Sequence, residues 1–284
     1  LGAEAWERAI ERQVEILKEM GCNSIRVTHN PAAEELINIC NEKGILVVEE
    51  MFDGWQNAKN GNNNDYARFF NQTIGESNQI LGKENGMNWA KYDLTATVKR
   101  GWNAPSVIMW SLGNEVQEGA TGVLTQAYAN VQANLIEWTT ALDTTRPATR
   151  GDNVLKGNKT GIPKNMMDAM TTANGTVGLN YCSGNDYDTL HNSNQNWKLY
   201  GSETASAINS RGVYDRIDGS KTGQKLTSYD NSAVNWGAVA SSAWYEVIKR
   251  DFVAGEYVWT GFDYIGEPTP WNGTGKGAQG TWPS

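Results

Sequence analysis

Short apolar segments with the pattern of buried strands alternate with amphipathic helix patterns along all 284 residues of the chain. Seven such strand patterns begin near residues 23, 45, 107, 147, 177, 198 and 255. This alternation is typical of an α/β fold, a parallel sheet covered by helices. Because the chain opens with a helix pattern, it fits a (β/α)8 TIM barrel whose first strand would precede Leu1 and whose last helix would follow Ser284. A doubly wound open sheet is the alternative, but no Gly-rich phosphate-binding fingerprint follows any strand pattern.

Local signals give approximate bounds for the helices and loops. The spacing of apolar residues predicts helices over residues 6–20, 34–43, 89–100, 121–142, 166–170 and 236–252. Asn30 is a candidate N-cap for the second helix, and Gly44 is expected to end it. Residues 54–88 and 207–228 are predicted as long loops, and His191 is predicted to lie in a solvated polar loop.

The composition narrows the classes of protein that the chain can belong to. Its formal net charge of −8 argues against binding to nucleic acid or to anionic membranes. No run of about 18 apolar residues predicts a membrane-spanning helix, and no signal-peptide pattern opens the chain. Cys22, Cys40 and Cys182 follow no disulfide or zinc spacing and are interpreted as small core residues. Since the chain starts without Met inside a helix pattern, we interpret it as a piece of a longer protein.

Two glutamates directly follow apolar strand patterns. Glu115 ends the segment VIMWSLGNE, and Glu203 lies in GSETAS, 88 residues further along (203 − 115 = 88). The carboxyl ends of the strands are where parallel α/β barrels place their chemistry. Paired carboxylates are the groups that hydrolyse glycosidic bonds. The alternative, that each glutamate caps the next helix or pairs with an arginine, stays open on spacing alone.

The chain resembles glycoside hydrolase family 2 on six segments that occur in the family's order. These segments are GCNSIRVTHNP, GILVVEEMFDGW, VIMWSLGNE, GLNY, GSETAS and GEYVWTGFDYIGEPTPW. Within that family the chain is most similar to bacterial β-galactosidases, in particular the large surface-attached enzymes of Gram-positive bacteria. The resemblance implies a (β/α)8 barrel behind β-sandwich domains and hydrolysis with retention of the anomeric configuration.

The resemblance also implies roles for individual residues. Glu115 matches the general acid/base at the end of strand four, and Glu203 matches the nucleophile at the end of strand seven, if one strand precedes the chain. Asn114, beside the acid, is expected to bind the sugar 2-hydroxyl. The other implied substrate-side residues are Tyr181, His29, Asp53 and Trp259. Tyr181 matches a tyrosine that hydrogen-bonds the nucleophile, and His29 matches a sugar-binding histidine. Trp259 matches a platform under the sugar.

Plainer interpretations of these residues stay open. His29 could cap the next helix, Tyr181 could close its strand, Asp53 could be a turn residue, and Trp259 could be core. Three further acids are assigned by position. Glu49 and Glu50 are adjacent in a strand pattern and must point to opposite faces of the sheet. One of them is therefore expected to support the site and the other to support a helix. Glu118 is expected to face solvent.

The function predicted from the sequence is a retaining, exo-acting β-galactosidase that cleaves a terminal β-galactoside of an oligosaccharide or glycan. The alternatives are a β-glucuronidase or another exo-glycosidase of the family, and a non-catalytic sugar-binding barrel. Asn272 and Lys276 lack the Asn-x-Lys spacing of the glucuronidase branch, which argues against a uronide.

We predict no cofactor and no required metal, since no acid and histidine set matches the magnesium site of some relatives. Residues 1–284 are expected to form a single catalytic barrel domain that is joined to other domains of a longer chain. No nucleic acid partner and no membrane insertion are expected. A secreted or cell-surface location in a bacterium is favoured, with the cytoplasm as the alternative.

Overall fold

A computed structural model describes residues 5–59, 62, 64–75, 86–120, 122–220, 222 and 225–262. Asn272 and Lys276 therefore lie outside the described residues. The chain divides into two compact units, with the boundary between Val177 and Gly178. Each unit is described by itself.

The first unit alternates strands and helices. Its elements are α1 (Glu7–Glu19), β1 (Ser24–Val27), α2 (Glu34–Lys43), β2 (Leu46–Glu50), α3 (Ala67–Phe70), α4 (Trp89–Gly101), β3 (Val107–Asn114), a 3₁₀ helix (Val116–Ala120), α5 (Gln126–Leu142), β4 (Ala148–Asp152) and α6 (Gly161–Thr172). Strand β5 (Val177–Asn180) crosses the boundary. The elements of the second unit are α7 (Gly184–Ser193), β6 (Leu199–Ala205), α8 (Ala240–Ile248) and β7 (Val253–Trp259). The described residues thus hold the seven strands that the sequence predicts.

The strands pair in parallel and in chain order within each unit. In the first unit β1 pairs with β2, β2 with β3 and β3 with β4, so that Glu50 lies opposite Ser111 and Asn114 lies opposite Gly151. In the second unit β6 pairs with β7, and Ala205 lies opposite Trp259. Because parallel strands end at the same edge of a sheet, residues that follow these strands are brought together within each unit.

The apolar core of the first unit fills the space between its strands and helices. The largest side chains in it with no exposed surface include Trp55, Trp110, Leu94, Leu112 and Leu135. This burial provides the main stabilising contribution and holds the ends of β2 and β3 in place.

Several predicted local features need correction. Helix α2 has the predicted bounds and ends at Gly44 with φ of 72°, but its N-cap is Ala33 and not Asn30. The predicted loop 54–88 contains the short helix α3, whose Phe70 packs against Phe52 with ring centroids 5.3 Å apart. His191 lies in helix α7, whose buried residues include Tyr187 and Leu190, and its ring stacks on Phe252 with ring centroids 3.9 Å apart.

The predicted bounds of other helices also differ. The helix expected over 121–142 is α5, which begins only at Gln126, and the helix expected over 236–252 is the shorter α8. Cys40 is fully buried, as expected of a core residue, whereas Cys22 and Cys182 are half-buried. No helix of the described residues is both long and apolar enough to cross a membrane.

Candidate active site

A buried network of charged and polar side chains lies at the carboxyl ends of β1, β2 and β3. Arg26 donates through Nη2 to Oε2 of Glu50 at 2.5 Å and to Oδ1 of Asn114 at 3.0 Å. The hydroxyl of Ser111 also donates to Oε2 of Glu50 at 2.6 Å. Nδ1 of His29 lies 2.5 Å from Oε1 of the same carboxylate. The network therefore ties His29 and Asn114, two residues that the sequence predicts for sugar binding, to one buried carboxylate.

The electrostatics of this network favour ionised partners. Burial alone would raise the pKa of Glu50, but the charge of Arg26 and the hydrogen bonds from His29 and Ser111 hold that pKa below its ordinary value. Burial alone would lower the pKa of His29, but the hydrogen bond and the charge of Glu50 raise it above its ordinary value. Both shifts have the direction expected for a carboxylate that lies between Arg26 and His29.

Glu49 and Glu50 confirm that adjacent acids on a strand face opposite ways. Glu49 has no exposed side-chain surface and pairs with Arg100 of α4, and it also accepts from the backbone N–H of Ala32 at 3.3 Å. Burial raises the pKa of Glu49 above its ordinary value, with Arg100 opposing that effect. Glu49 therefore fastens the helix layer, while Glu50 supports the candidate site, as the sequence predicts.

Glu115 follows the last residue of β3 and has an uncommon backbone conformation. Its φ is 39°, in the left-handed region that non-glycine residues seldom adopt. Its N–H donates to the carbonyl of Gly151 at 2.9 Å, and its carbonyl accepts from the N–H of Glu118 at 3.0 Å. The side chain is half-buried. Backbone hydrogen bonds on both sides therefore hold Glu115 in a conformation that costs about 1–3 kcal/mol. Residues with such strained backbones cluster at active sites.

Asp53 follows β2 and lies beside Asn114 in the first unit. Its carbonyl accepts from the N–H of Asn114 at 3.0 Å. Its carboxylate forms an ion pair with Lys59, and Nζ and Oδ1 are 2.6 Å apart. The side chain of Asp53 is 42% exposed, whereas that of Lys59 is 8% exposed. Asp53 therefore pairs with a nearly buried cation.

In the second unit, the carboxylate of Glu203 is buried and held by hydrogen-bond donors. Glu203 is 6% exposed. The hydroxyl of Tyr181 donates to its Oε1 at 2.6 Å, and Nδ2 of Asn180 lies 3.5 Å from its Oε2. Ser202 in turn donates to Oδ1 of Asn180 at 2.6 Å, which fixes the orientation of that amide. Such donors stabilise an ionised carboxylate.

The backbone around Glu203 is also constrained. Tyr181, Ala205 and Ser206 have φ values of 53°, 66° and 60°. The N–H of Tyr181 donates to the carbonyl of Glu203 at 2.7 Å, and the N–H of Ser206 donates to the carbonyl of Trp259 at 3.1 Å. Trp259 is half-buried, at the end of β7 and beside Ala205. The strand ends of this unit thus bring Tyr181 to Glu203 and Trp259 to the residues that follow it.

The structure places the seven predicted residues in two groups. His29, Asp53, Asn114 and Glu115 lie at strand ends of the first unit, and Tyr181, Glu203 and Trp259 lie at strand ends of the second. Glu118 is exposed, as expected. Across the ranges given above, no group of three or more His, Cys, Asp or Glu has the arrangement of a metal site.

Sequence reasoning missed several residues that the structure places in the candidate site, namely Arg26, Lys59, Ser111 and Asn180. Arg26 carried a signal, because a charged residue inside the apolar strand pattern SIRV must point to one face of the sheet with a partner. Lys59 carried none, because it lies in an Asn-rich loop without periodicity.

Comparisons with known proteins identify the family. The family described as "Glycosyl hydrolases family 2, TIM barrel domain" matches residues 4–278. The chain is 34% identical to a β-galactosidase of Bacteroides ovatus, over 95% of this chain and 34% of that protein. It is 27% identical to a putative β-glucuronidase of Formosa agariphila, over 93% of this chain and 24% of that protein. The chain therefore spans about a third or less of the length of these relatives.

A solved structure supports the same assignment. A family 2 glycosyl hydrolase from Bacteroides cellulosilyticus matches with a TM-score of 0.65 and 30% identity, over 94% of this chain and 26% of the solved one. These matches confirm the family and the TIM barrel fold that the sequence predicts. The chain belongs to glycoside hydrolase family 2, and it carries the TIM barrel domain of that family.

Proposed function

We propose that this chain is the catalytic barrel of a retaining, exo-acting β-galactosidase, with Glu203 as the nucleophile and Glu115 as the general acid/base. The observation that carries the proposal is the buried carboxylate of Glu203, held by the hydroxyl of Tyr181 at 2.6 Å. A nucleophile has to remain ionised and correctly aimed, and a short hydrogen bond from a positioned donor serves both needs.

The proposed reaction has two steps. Glu203 attacks the anomeric carbon while Glu115 gives its proton to the glycosidic oxygen, so that the aglycone leaves and a covalent glycosyl-enzyme forms. Glu115 then takes a proton from water, which attacks the same carbon and releases Glu203 and the sugar. Retention of this kind uses carboxyl groups about 5–5.5 Å apart. Two inversions at one carbon return the β configuration.

The residues of the first unit support the acid/base in this proposal. Arg26 donates to Oδ1 of Asn114, so that the amide is oriented with Nδ2 as its donor end. A donor there suits the sugar 2-hydroxyl, a contact that strengthens in the transition state. His29, which is tied to Glu50, is proposed to contact sugar hydroxyls, and Trp259 to form an apolar platform under the ring.

Galactose is the proposed sugar for two reasons. The relative that is named a β-galactosidase is more similar to this chain than the one named a putative β-glucuronidase, at 34% against 27% identity. The tail also lacks the Asn-x-Lys spacing. A β-glucuronidase is the second candidate, since several relatives carry that name.

The test uses the parent chain and a panel of nitrophenyl β-glycosides. We expect the kcat/KM for the β-galactoside to exceed that for the β-glucuronide. A value for the β-glucuronide that is equal or higher would assign the chain to the other branch of the family. A total lack of turnover with every glycoside, together with binding of free sugar, would identify a non-catalytic sugar-binding barrel.

The proposal extends to the setting of the enzyme. The substrate is proposed to be a terminal β-galactoside of an oligosaccharide or glycan, and the partners within the molecule are other domains of the parent chain. A secreted or cell-surface location in a bacterium stays a prediction. That residues 1–284 form a single barrel domain also stays a prediction.

A further inference from the structure

Lys59 is a nearly buried cation in the loop that follows β2. Its side chain is 8% exposed, and its Nζ lies 2.6 Å from Oδ1 of Asp53 and 3.8 Å from Oε2 of Glu118. Lysine is seldom buried unless it is paired. The ammonium group is therefore held at this position by two carboxylates.

The two carboxylates that hold Lys59 are attached directly to the segment of the proposed acid/base. The carbonyl of Asp53 accepts from the N–H of Asn114 at 3.0 Å, and the N–H of Glu118 donates to the carbonyl of Glu115 at 3.0 Å. The positive charge of Lys59 thus lies beside the Asn114–Glu115 dipeptide and not on a remote surface.

The loop that carries Lys59 is firmly anchored. The backbone N–H of Lys59 donates to Oδ2 of Asp65 at 3.1 Å, and Nδ2 of Asn57 donates to the hydroxyl of Tyr128 at 2.9 Å. A Cβ atom at Gly119 would lie 2.4 Å from the carbonyl oxygen of Asn57, so that only glycine allows the 3₁₀ helix to approach the loop this closely. The position of the ammonium group is therefore set by the fold of the loop.

We propose that the Asp53–Lys59 ion pair determines sugar specificity, because the carboxylate of Asp53 neutralises the ammonium group of Lys59 beside the site. The inference rests on the proposed function, and it takes Asp53 to face the sugar, as the resemblance to the family implies. The carboxylate of Asp53 is 42% exposed, which leaves surface on which a sugar hydroxyl can donate to it. A neutral sugar gains an acceptor there, whereas a uronate finds its cation already paired. A uronate carboxylate entering the site needs an available cation to offset the loss of its hydration.

The variant Asp53→Asn tests this proposal, because it removes the negative charge and keeps the shape of the side chain. We expect the ratio of kcat/KM for the β-glucuronide to that for the β-galactoside to rise by roughly tenfold or more, since Lys59 loses the nearer of its two carboxylates and keeps only Glu118 at 3.8 Å. The rise should shrink with added salt, as a charge pair requires. The double variant Asp53→Asn/Lys59→Met should lose the rise.

The matched control is Asp168→Asn, which removes one negative charge from the Lys164–Asp168 pair of α6 and should leave the ratio unchanged. A ratio in Asp53→Asn equal to that of the wild type, or a rise that persists in the double variant, would overturn the proposal. A wild type that prefers the glucuronide would refute the proposed galactosidase, while the change in ratio would still report on Lys59.

Calorimetric binding of galactose and of glucuronate to the same variants makes the comparison without turnover. Stronger glucuronate binding by Asp53→Asn that disappears in the double variant supports the proposal, and its absence refutes it.

Discussion

Replacing Arg26 with Met should strongly destabilise the protein, because it removes one partner of a buried ion pair. The side chain of Arg26 is 2% exposed and that of Glu50 is fully buried. Methionine roughly keeps the length of the aliphatic stem and removes the charge. The carboxylate of Glu50 would then remain buried with His29 and Ser111 as its neighbours.

The size of the effect follows from the burial of both partners. Breaking a buried pair by removing one member costs about 3–5 kcal/mol, because the remaining charge is uncompensated. Since His29 and Ser111 still contact Glu50, we expect a loss of about 3 kcal/mol in the free energy of unfolding.

Chemical denaturation of the parent chain, followed by tryptophan fluorescence, measures this loss. The double variant Arg26→Met/Glu50→Leu removes both charges and should be more stable than Arg26→Met alone. Arg8→Met is the matched control, since the side chain of Arg8 is 73% exposed and its ion pairs lie on the surface of α1. Its effect on the free energy of unfolding should be far smaller than that of Arg26→Met. A loss below about 1 kcal/mol in Arg26→Met, or a double variant as unstable as the sum of the single changes, would refute the reasoning.

Three further results are expected. Glu115→Ala should slow the hydrolysis of alkyl galactosides by about 10²–10⁴-fold and affect nitrophenyl galactosides far less, because a good leaving group needs little protonation; equal losses in kcat/KM for both substrates would contradict its role as the acid. Tyr181→Phe removes the hydroxyl that donates to Glu203, so kcat/KM should fall by about 10–100-fold, as expected for a hydrogen bond to a charged group, and an unchanged value would count against that contact. The free energy of unfolding should depend on pH at both ends of the range. The raised pKa of His29 contributes stability that is full below pH about 6.5 and is lost as the pH rises through the folded pKa. The lowered pKa of Glu50 contributes stability that is present above pH about 4.3 and is lost as the pH falls through the folded pKa. Glu50→Gln should flatten both slopes in denaturation measured between about pH 3 and 9, and an unchanged profile would show that the pair does not titrate in this way.

Sequence reasoning succeeded where the signal is local. The bounds of α2 follow from its apolar spacing and from Gly44, which adopts the left-handed conformation that ends many helices. The opposite orientations of Glu49 and Glu50 follow from the period of a strand. The positions of Asn114 and Glu115 after β3 follow from an apolar run that stops at polar residues.

The same reasoning failed where partners are distant in sequence. Arg26 meets Asn114, 88 residues away, and no local pattern identifies that contact. His191 was predicted in a solvated loop, yet it stacks on Phe252, 61 residues further along the chain. Asn30 has the residue type of an N-cap, but α2 begins later. The N–H of Ala32 donates to Oε1 of Glu49, and Ala33, whose backbone is extended, is the N-cap. Tertiary contacts therefore decided what local propensity left open.

The assignment of Glu203 as the nucleophile of a retaining galactosidase is tested most directly by Glu203→Ala in the presence of azide. The variant should lose turnover of nitrophenyl β-galactoside, because no carboxylate attacks the anomeric carbon. Azide is a small anion that can occupy the vacated side and attack once, with inversion, so turnover should return with α-galactosyl azide as the product. Formation of the β-galactosyl azide would instead assign Glu203 as the acid/base and contradict the proposed roles of both glutamates.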